Sequence, residues 1–322
     1  MKQKTTAGLA IAVLAALSFG MSGAFVKPML EAGWSPAAAV TARALAGGLI
    51  LLPIALVAVR GNWDAVWRGR WRILAMGLVG VAATQLVYFA AVQRIPVSTA
   101  ILVEYLAPLL LVGVVWATTR RMPKAVVLIG SVLSVGGLVL VVSPGGGQGL
   151  DLLGLVFAGL AAVGCAIYYV VAATPSDGLP AVALAAFGLM VGGLALGLVG
   201  LTGLVPFTAT FGTIDLLGSP APWWVPLAVV GVIATAFAYF TSITASGMLG
   251  SRLASFAGLL EVVAAAVYAW ILLGEGMALL QLLGGGLILA GIAFVRSEKQ
   301  VDLELEPGSE VEPEVELEHS RA

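Results

Sequence analysis

The chain has 322 residues, 60% of them apolar and 10% charged, with a mean hydropathy of +1.06, which excludes a soluble domain and indicates an all-α integral membrane protein. Its formal charge of −1 is uneven: nine of the 17 carboxylates follow Arg296, and the membrane part before them is basic. With one cysteine (Cys165), one histidine (His319) and no phosphate loop or nucleophile motif, the chain has no residues for a metalloenzyme, a nucleotide-driven pump or a histidine relay, so no enzyme activity, metal, cofactor or nucleic-acid partner is expected.

About twenty apolar residues cross some 30 Å of hydrocarbon as a helix. Ten stretches qualify, near 7–28, 36–59, 71–93, 96–117, 124–143, 152–173, 180–203, 223–246, 250–273 and 277–296. The first follows Lys2 and Lys4 and has the outline of a signal peptide. Its apolar run continues to Val26, however, and it has a partner in mid-chain, so it reads as a span with Ser18, Ser22 and Phe25 on one face. The second carries Arg43, and a charge at membrane depth costs about 2.5–3.5 kcal/mol on insertion scales and so needs a partner, a cavity or a function. Gln85 and Tyr88 lie on the third and Glu104 on the fourth. Arg43 and Glu104 sit at one depth, ~11 Å down at 1.5 Å per residue, which makes them a candidate ion pair.

Beyond the fifth stretch, Pro144–Leu150 (PGGGQGL) reads as a flexible linker. The sixth carries Tyr168, and the seventh has Gly188, Gly192, Gly193 and Gly197 at spacings that permit close helix approach within a monomer rather than a homodimer. The connection Val205–Pro222, with Asp215, is expected to hold a short interfacial segment. On the eighth, Thr235, Tyr239, Ser242 and Ser246 follow the i, i+4, i+7, i+11 spacing of one helix face. Glu261 sits near the middle of the ninth. Residues 297–322 have the composition of a disordered acidic tail.

Two copies of one pattern run through the chain. Residues 8–16 (GLAIAVLAA) match 154–162 (GLVFAGLAA), and residues 77–141 fall on 231–295 without a gap, pairing Trp116 with Trp270, Gly130 with Gly284 and Gly137 with Gly291. Lys2, Lys4, Arg60, Arg68, Arg70, Arg72, Arg120, Arg121, Lys124, Arg252, Arg296 and Lys299 fall on one side of the alternating spans, against Lys27 and Arg94 on the other, which puts both termini in the cytoplasm of a cell-membrane protein. The 174–180 loop carries no base to support its own placement. Five spans per copy then force opposite orientations, so the expected fold is ten transmembrane helices as two inverted five-helix repeats: 7–143, a linker at 144–151, and 152–296. Gln85 and Tyr88 are the repeat equivalents of Tyr239 and Ser242, so both copies present polar groups at one depth, as expected of a shared cavity.

These residues resemble the drug/metabolite transporter superfamily in its ten-helix EamA-type branch. The resemblance rests on SFGMSGAFVKP, TARALAGGLILLP, RIPVSTAILVEYLAPLLLVGVVW (94–116) and SRLASFAGLLEVVAAAVYAWILLGE (251–275), and Gln93 to Pro108 with Glu261 are similar to the threonine/homoserine exporters. It implies gradient-driven export of small metabolites, often amino acids. Where many relatives have Glu-Pro in the ninth helix this chain has Glu261-Val262, and the closing LLGE of the second copy is replaced in the first by ATTRR.

The expected function is export by rocking of the halves about a central cavity that includes Gln85, Tyr88, Glu104, Tyr168, Thr235, Tyr239, Ser242 and Glu261, with Glu261 or Glu104 as candidate proton carriers. Partners are a small-molecule substrate, membrane lipids and candidate co-transported protons. Hydrophobic drugs or nucleosides are the alternative substrates. A scaffold or sensor acting through the acidic tail is the alternative of another class.

Overall fold

The computed structural model describes residues 2–107, 109, 110, 113, 116, 117, 120, 125–142, 151–174, 178–216 and 218–297. Pro144–Leu150 and the acidic tail beyond Ser297 lie outside the described residues. The helices are α1 (Lys2–Glu31), α2 (Pro36–Ala58), α3 (Trp63–Arg68), α4 (Arg70–Val92), α5 (Val97–Glu104), α6 (Ala125–Val142), α7 (Leu152–Ala173), α8 (Ala181–Leu201), α9 (Trp224–Ala245), α10 (Leu259–Leu273) and α11 (Leu279–Ser297). Six of them, α1, α2, α4, α7, α8 and α9, are long and apolar enough to cross a membrane, while α6, α10 and α11 have shorter apolar cores. Of the expected fourth span, α5 covers the first part, and much of the remainder lies outside the described residues.

The helix starts follow local chemistry. Ser35 accepts the amide of Ala38 through its hydroxyl at the start of α2, with Pro36 in the first turn, and Asp151 caps α7 by accepting the amide of Gly154. The connection expected to hold an interfacial segment instead forms an antiparallel hairpin, β1 (Thr213–Leu216) with β2 (Ser219–Pro222), turned by Gly218 at φ 71°. It departs from an all-α reading because apolar periodicity carries no signal for so short a ribbon rich in proline.

Helical backbone runs through Ala238–Leu273, yet this is not one straight rod. Phe19 packs edge-on against Tyr239 at 5.1 Å, and the neighbouring Gly20 abuts Ala264 and Ala265. On a straight helix Tyr239 and Ala264 would be ~37 Å apart at 1.5 Å per residue. The chain therefore folds back between Ala245 and Leu259, and α9 and α10 are separate arms on α1.

The ends of the bundle are defined by loops that touch. At one end Ser35 donates its amide to the Thr208 carbonyl at 2.9 Å, Trp34 stacks with Trp223 at 6.0 Å, and Lys27 pairs with Glu275. At the other, Asn62 donates to the Gly178 carbonyl and Arg72 to the carbonyls of Val171 and Ala172, at 3.4, 3.0 and 3.2 Å. Gly178 and the end of α7 thus lie beside the loop rich in arginine. α1 runs toward the Lys27 end and α7 away from it, α2 runs away and α8 toward, α4 toward and α9 away.

Packing crosses between the halves. α1 lies mainly on α9 and α10, and α7 mainly on α4 and α5, so the first helix of each copy packs on helices of the other, while α2 and α8 pack mainly on each other. Two contacts are reciprocal. A Cβ at Gly48 would meet Met190 and a Cβ at Gly193 would meet Leu45, and 193 − 48 and 190 − 45 both equal 145. Likewise Gly137 faces Gly284 and Ile288 while Gly291 faces Gly130 and Ser134, each related by 154. A contact in which the repeat partners exchange places is the signature of a local two-fold axis. The absence of a Cβ brings the helices close enough for backbone to touch backbone.

Both copies carry a π-helical segment in the third of their helices, Met76–Ala83 in α4 and Val229–Phe237 in α9. Shifting the first by 154 gives 230–237. The widened turn takes carbonyls out of the regular ladder and leaves them open to other donors.

A Cβ at Gly137 would lie 2.5 Å from the Gly284 carbonyl oxygen, whereas one at Gly136 meets nothing within 4 Å. Gly137→Leu is therefore expected to destabilise the protein by ~1–3 kcal/mol or more. Gly136→Ala is expected to be neutral or to stabilise by up to ~1 kcal/mol. Thermal unfolding of the two variants in detergent checks the contrast.

Candidate functional site

The site is organised by Arg43, 3% exposed in the middle of α2. Its Nε donates to Thr235 Oγ1 at 3.0 Å, Nη1 to Ser22 Oγ at 2.8 Å and to Gln85 Oε1 at 2.7 Å, and Nη2 to the Ala234 carbonyl at 3.3 Å. The guanidinium also lies 5.4 Å from the centre of the Phe89 ring. Ala234 and Thr235 belong to the π segment of α9, which supplies both a backbone and a side-chain acceptor. One cation thus ties α2 to α1, α4 and α9, which come from both copies.

Sequence reading pairs Arg43 with Glu104. The structure buries Glu104 at 7% exposure, but the ion pairs among the described residues are Lys27–Glu275 and Arg94–Asp151, and the donors of Arg43 go to neutral acceptors. The reason is reach: α1, α4 and α9 approach α2 more closely than the end of α5 does. Glu104 and Glu261 nevertheless lie within electrostatic range of Arg43, as do Tyr88 and Tyr239. Glu261 on α10 accepts a hydrogen bond from the Tyr105 hydroxyl at 2.6 Å. Tyr105 was not singled out in the sequence, although it directly follows Glu104.

The remaining expected residues fall around this cluster. Tyr88 and Tyr239 are buried, Thr235 is fully buried, and Tyr168 approaches Tyr239 ring to ring at 6.4 Å. Ser242 and Glu261 line a cavity of about 40 Å³ with Ala12, Ala15, Ala16, Phe19 and Ala245. That volume suits water and is far below the ~300 Å³ at which ligand pockets begin. Glu261 itself is half-buried. The side chain of Ser246 lies outside the described residues.

The repeat makes the asymmetry of this site legible. Glu261 corresponds to Ala107 by the 154 shift, and Ala107 packs on Cys165 and Ala166 as Glu261 packs beside Phe19. By the 145 shift of α2 onto α8, Arg43 corresponds to Gly188, which faces Met76 and Gly77 of the first π segment. Gly192 faces Val81 as Gly47 faces Thr235. All four glycines of α8 noted in the sequence face neighbours in the same chain, Gly197 against Thr41.

A bundle of apolar helices of membrane length, gathered around a buried arginine whose hydrogen-bond partners come from both copies of a repeat, has the organisation of a multi-pass membrane transporter. The chain belongs to the EamA-like transporter family, whose pattern matches residues 6–143 and 152–297. It is similar to the uncharacterized inner membrane transporter YicL of Salmonella typhimurium (strain LT2), with 26% identity over 302 residues, covering 90% of this chain and 95% of that protein. A solved crystal structure shares the fold with a TM-score of 0.57 at 20% identity, over 90% of this chain and 96% of the other.

Arg43→Ala is expected to lower the unfolding midpoint by an amount equivalent to at least ~1–3 kcal/mol, because buried acceptors on three helices lose their donor. Arg43→Lys is expected to recover little, since an ammonium on a flexible stem does not reproduce a planar fork aimed at several partners. Thermal unfolding of both variants beside Thr235→Val, which removes one acceptor, measures how the cost divides.

Proposed function

We propose that the chain is a secondary-active or facilitated exporter of small metabolites, amino acids first among them, working by alternating access in the cell membrane. The observation that carries this reading is buried Arg43 with the carboxyl groups of Glu104 and Glu261 within its electrostatic range, Glu261 being bonded to the Tyr105 hydroxyl. A fixed cation suits a carboxylate and acidic groups suit an ammonium, so the cluster complements a zwitterion. Each of the three charged residues corresponds to an uncharged residue in the other copy, Gly188, Gly258 and Ala107, and such differences allow a pseudo-symmetric site to hold an asymmetric substrate.

The fold is read as ten transmembrane helices in two inverted repeats, with boundaries at 7–143 and 152–296. The opposite courses of α1 and α7, α2 and α8, and α4 and α9 support it, as do the reciprocal glycine contacts. The basic residues about the 60–72 loop support a cytoplasmic location for that end and for both termini. Because packing crosses between the copies, the bodies that rock are read as mixed, α1 with α9 and α10 in one and α4 and α5 with α7 in the other, while α2 and α8 pack on each other between them. This replaces the simpler picture of one half moving against the other. Opening a cavity of about 40 Å³ to admit a metabolite requires those bodies to separate.

A second substrate class, aromatic drugs or nucleosides, draws support from the rings of Phe19 and Tyr168, which both meet Tyr239 edge to face beside the cluster. Counterflow in proteoliposomes against a panel of amino acids and nucleosides separates the two. Amino-acid exchange is expected in the wild type, and its absence across the whole panel sinks the amino-acid assignment. Glu261→Gln and Glu104→Gln test proton coupling: the carrier's variant is expected to lose the dependence of exchange on a pH gradient. Normal, gradient-dependent exchange by both variants removes both carboxyl groups from that role.

A further inference from the structure

We infer that Glu275 is the latch of a gate at the Lys27 end, a latch without a counterpart among the described residues of the opposite end. This inference takes its two-body motion from the alternating-access reading above. Gly274, at φ 67°, ends α10 in a left-handed turn, and the following Glu275 amide bonds back to the Ala269 carbonyl. The turn holds the Glu275 carboxylate between two donors. One oxygen takes the Lys27 ammonium of α1, and the other accepts the amide of Val97, the first residue of α5, at 2.9 Å.

The two bonds differ in what they join. α1 and α10 pack together in one mixed body, so the Lys27 bond positions the carboxylate within that body. α5 belongs to the other body, and the bond to Val97 crosses the gap. A helix start presents unpaired amides at the positive end of its dipole, so a carboxylate placed there satisfies a donor that otherwise needs water. Beneath the latch, Val97 is fully buried, and a Cβ at Gly23 would meet the Val97 side chain and the Tyr88 hydroxyl. Gly23 therefore lets α1, α4 and α5 seal directly above the Arg43 cluster. Above the latch, Lys27, Leu30, Glu31, Val92, Gln93 and Arg94 line a cavity of about 270 Å³.

The repeat supplies the contrast. The equivalents of Lys27, Glu275 and Val97 are Ala173, Arg121 and Ser251 by the 146 and 154 shifts, so the other end has neither a carboxylate nor its ammonium partner at these positions. A bond whose three residues are not repeated at the equivalent positions biases the empty transporter toward closure at the Lys27 end and access from the other. For an exporter this is the state that loads from the cytoplasm.

The test is accessibility in the full-length chain. A single reporter cysteine, Ala100→Cys, is placed on the face of α5 one turn beyond Val97, where Ala100 is fully buried, in a Cys165→Ser background. Labelling by a membrane-impermeant maleimide is followed separately in intact cells and in inverted membrane vesicles. Adding Glu275→Ala is expected to speed labelling from the Lys27 side at least about tenfold without faster labelling from the other side. The exchange Lys27→Glu with Glu275→Lys keeps an ion pair but replaces the acceptor facing the Val97 amide, so it too is expected to label fast. It serves where Glu275→Ala does not fold. Labelling of a folded variant at the parent rate overturns the latch, as does acceleration from both sides alike. The readout needs no substrate, so a chain that carries no amino acid still shows the difference, and failure of the substrate assignment is distinguishable from failure of the latch.

Discussion

A guanidinium buried among apolar helices is tolerable only if its donors are met, and the way Arg43 meets that demand organises the centre of this protein. Four hydrogen bonds draw α1, α4 and α9 onto α2, two of them to consecutive residues of a π segment. Leaving such a charge unpaired in low dielectric costs several kcal/mol, so these helices have a shared reason to converge at one depth. The neutral character of its partners leaves the cluster with a cation beside two carboxyl groups rather than a closed ion pair.

Close approach is the second requirement, and glycine satisfies it. Association of helices in lipid gains little from apolar burial, because lipid is equally apolar, and depends on packing and backbone proximity. The glycines at 48 and 193, and at 137 and 291, bring equivalent helices together across a local two-fold axis. The rest of the packing passes between copies, so the two mixed bodies meet along α2 with α8 and at the seal of Gly23, Val97 and Tyr88. The latch of Glu275 stands at the edge of that seal.

Much of this was legible in the residues. Composition gave the membrane, the apolar periods gave most spans to within a few residues, and the 154 shift located matching helices before any coordinates. The charges at Arg43, Glu104 and Glu261 stood out because apolar surroundings make them costly. The pairing of Arg43 with Glu104 did not follow, since equal depth says nothing about which neighbour a guanidinium reaches first. Tyr105 and the Lys27–Glu275–Val97 contact were hidden because each joins residues distant in the chain or unremarkable beside a helix end. The β-hairpin at 213–222 was missed for want of any periodic signal.

What the sequence determined by itself is the set of elements, their duplication and the places where the copies differ, because these depend on local apolarity, spacing and identity. The tertiary structure alone decided which helix meets which: the exchange of packing between copies, the π segments that turn Ala234 and Thr235 toward Arg43, the bond of Tyr105 to Glu261 and the Lys27–Glu275–Val97 contact. Those are contacts between segments as many as 248 positions apart, as for Lys27 and Glu275. The donors and acceptors are visible in the chain, but only the three-dimensional arrangement of the helices decides which of them come within 3 Å of one another.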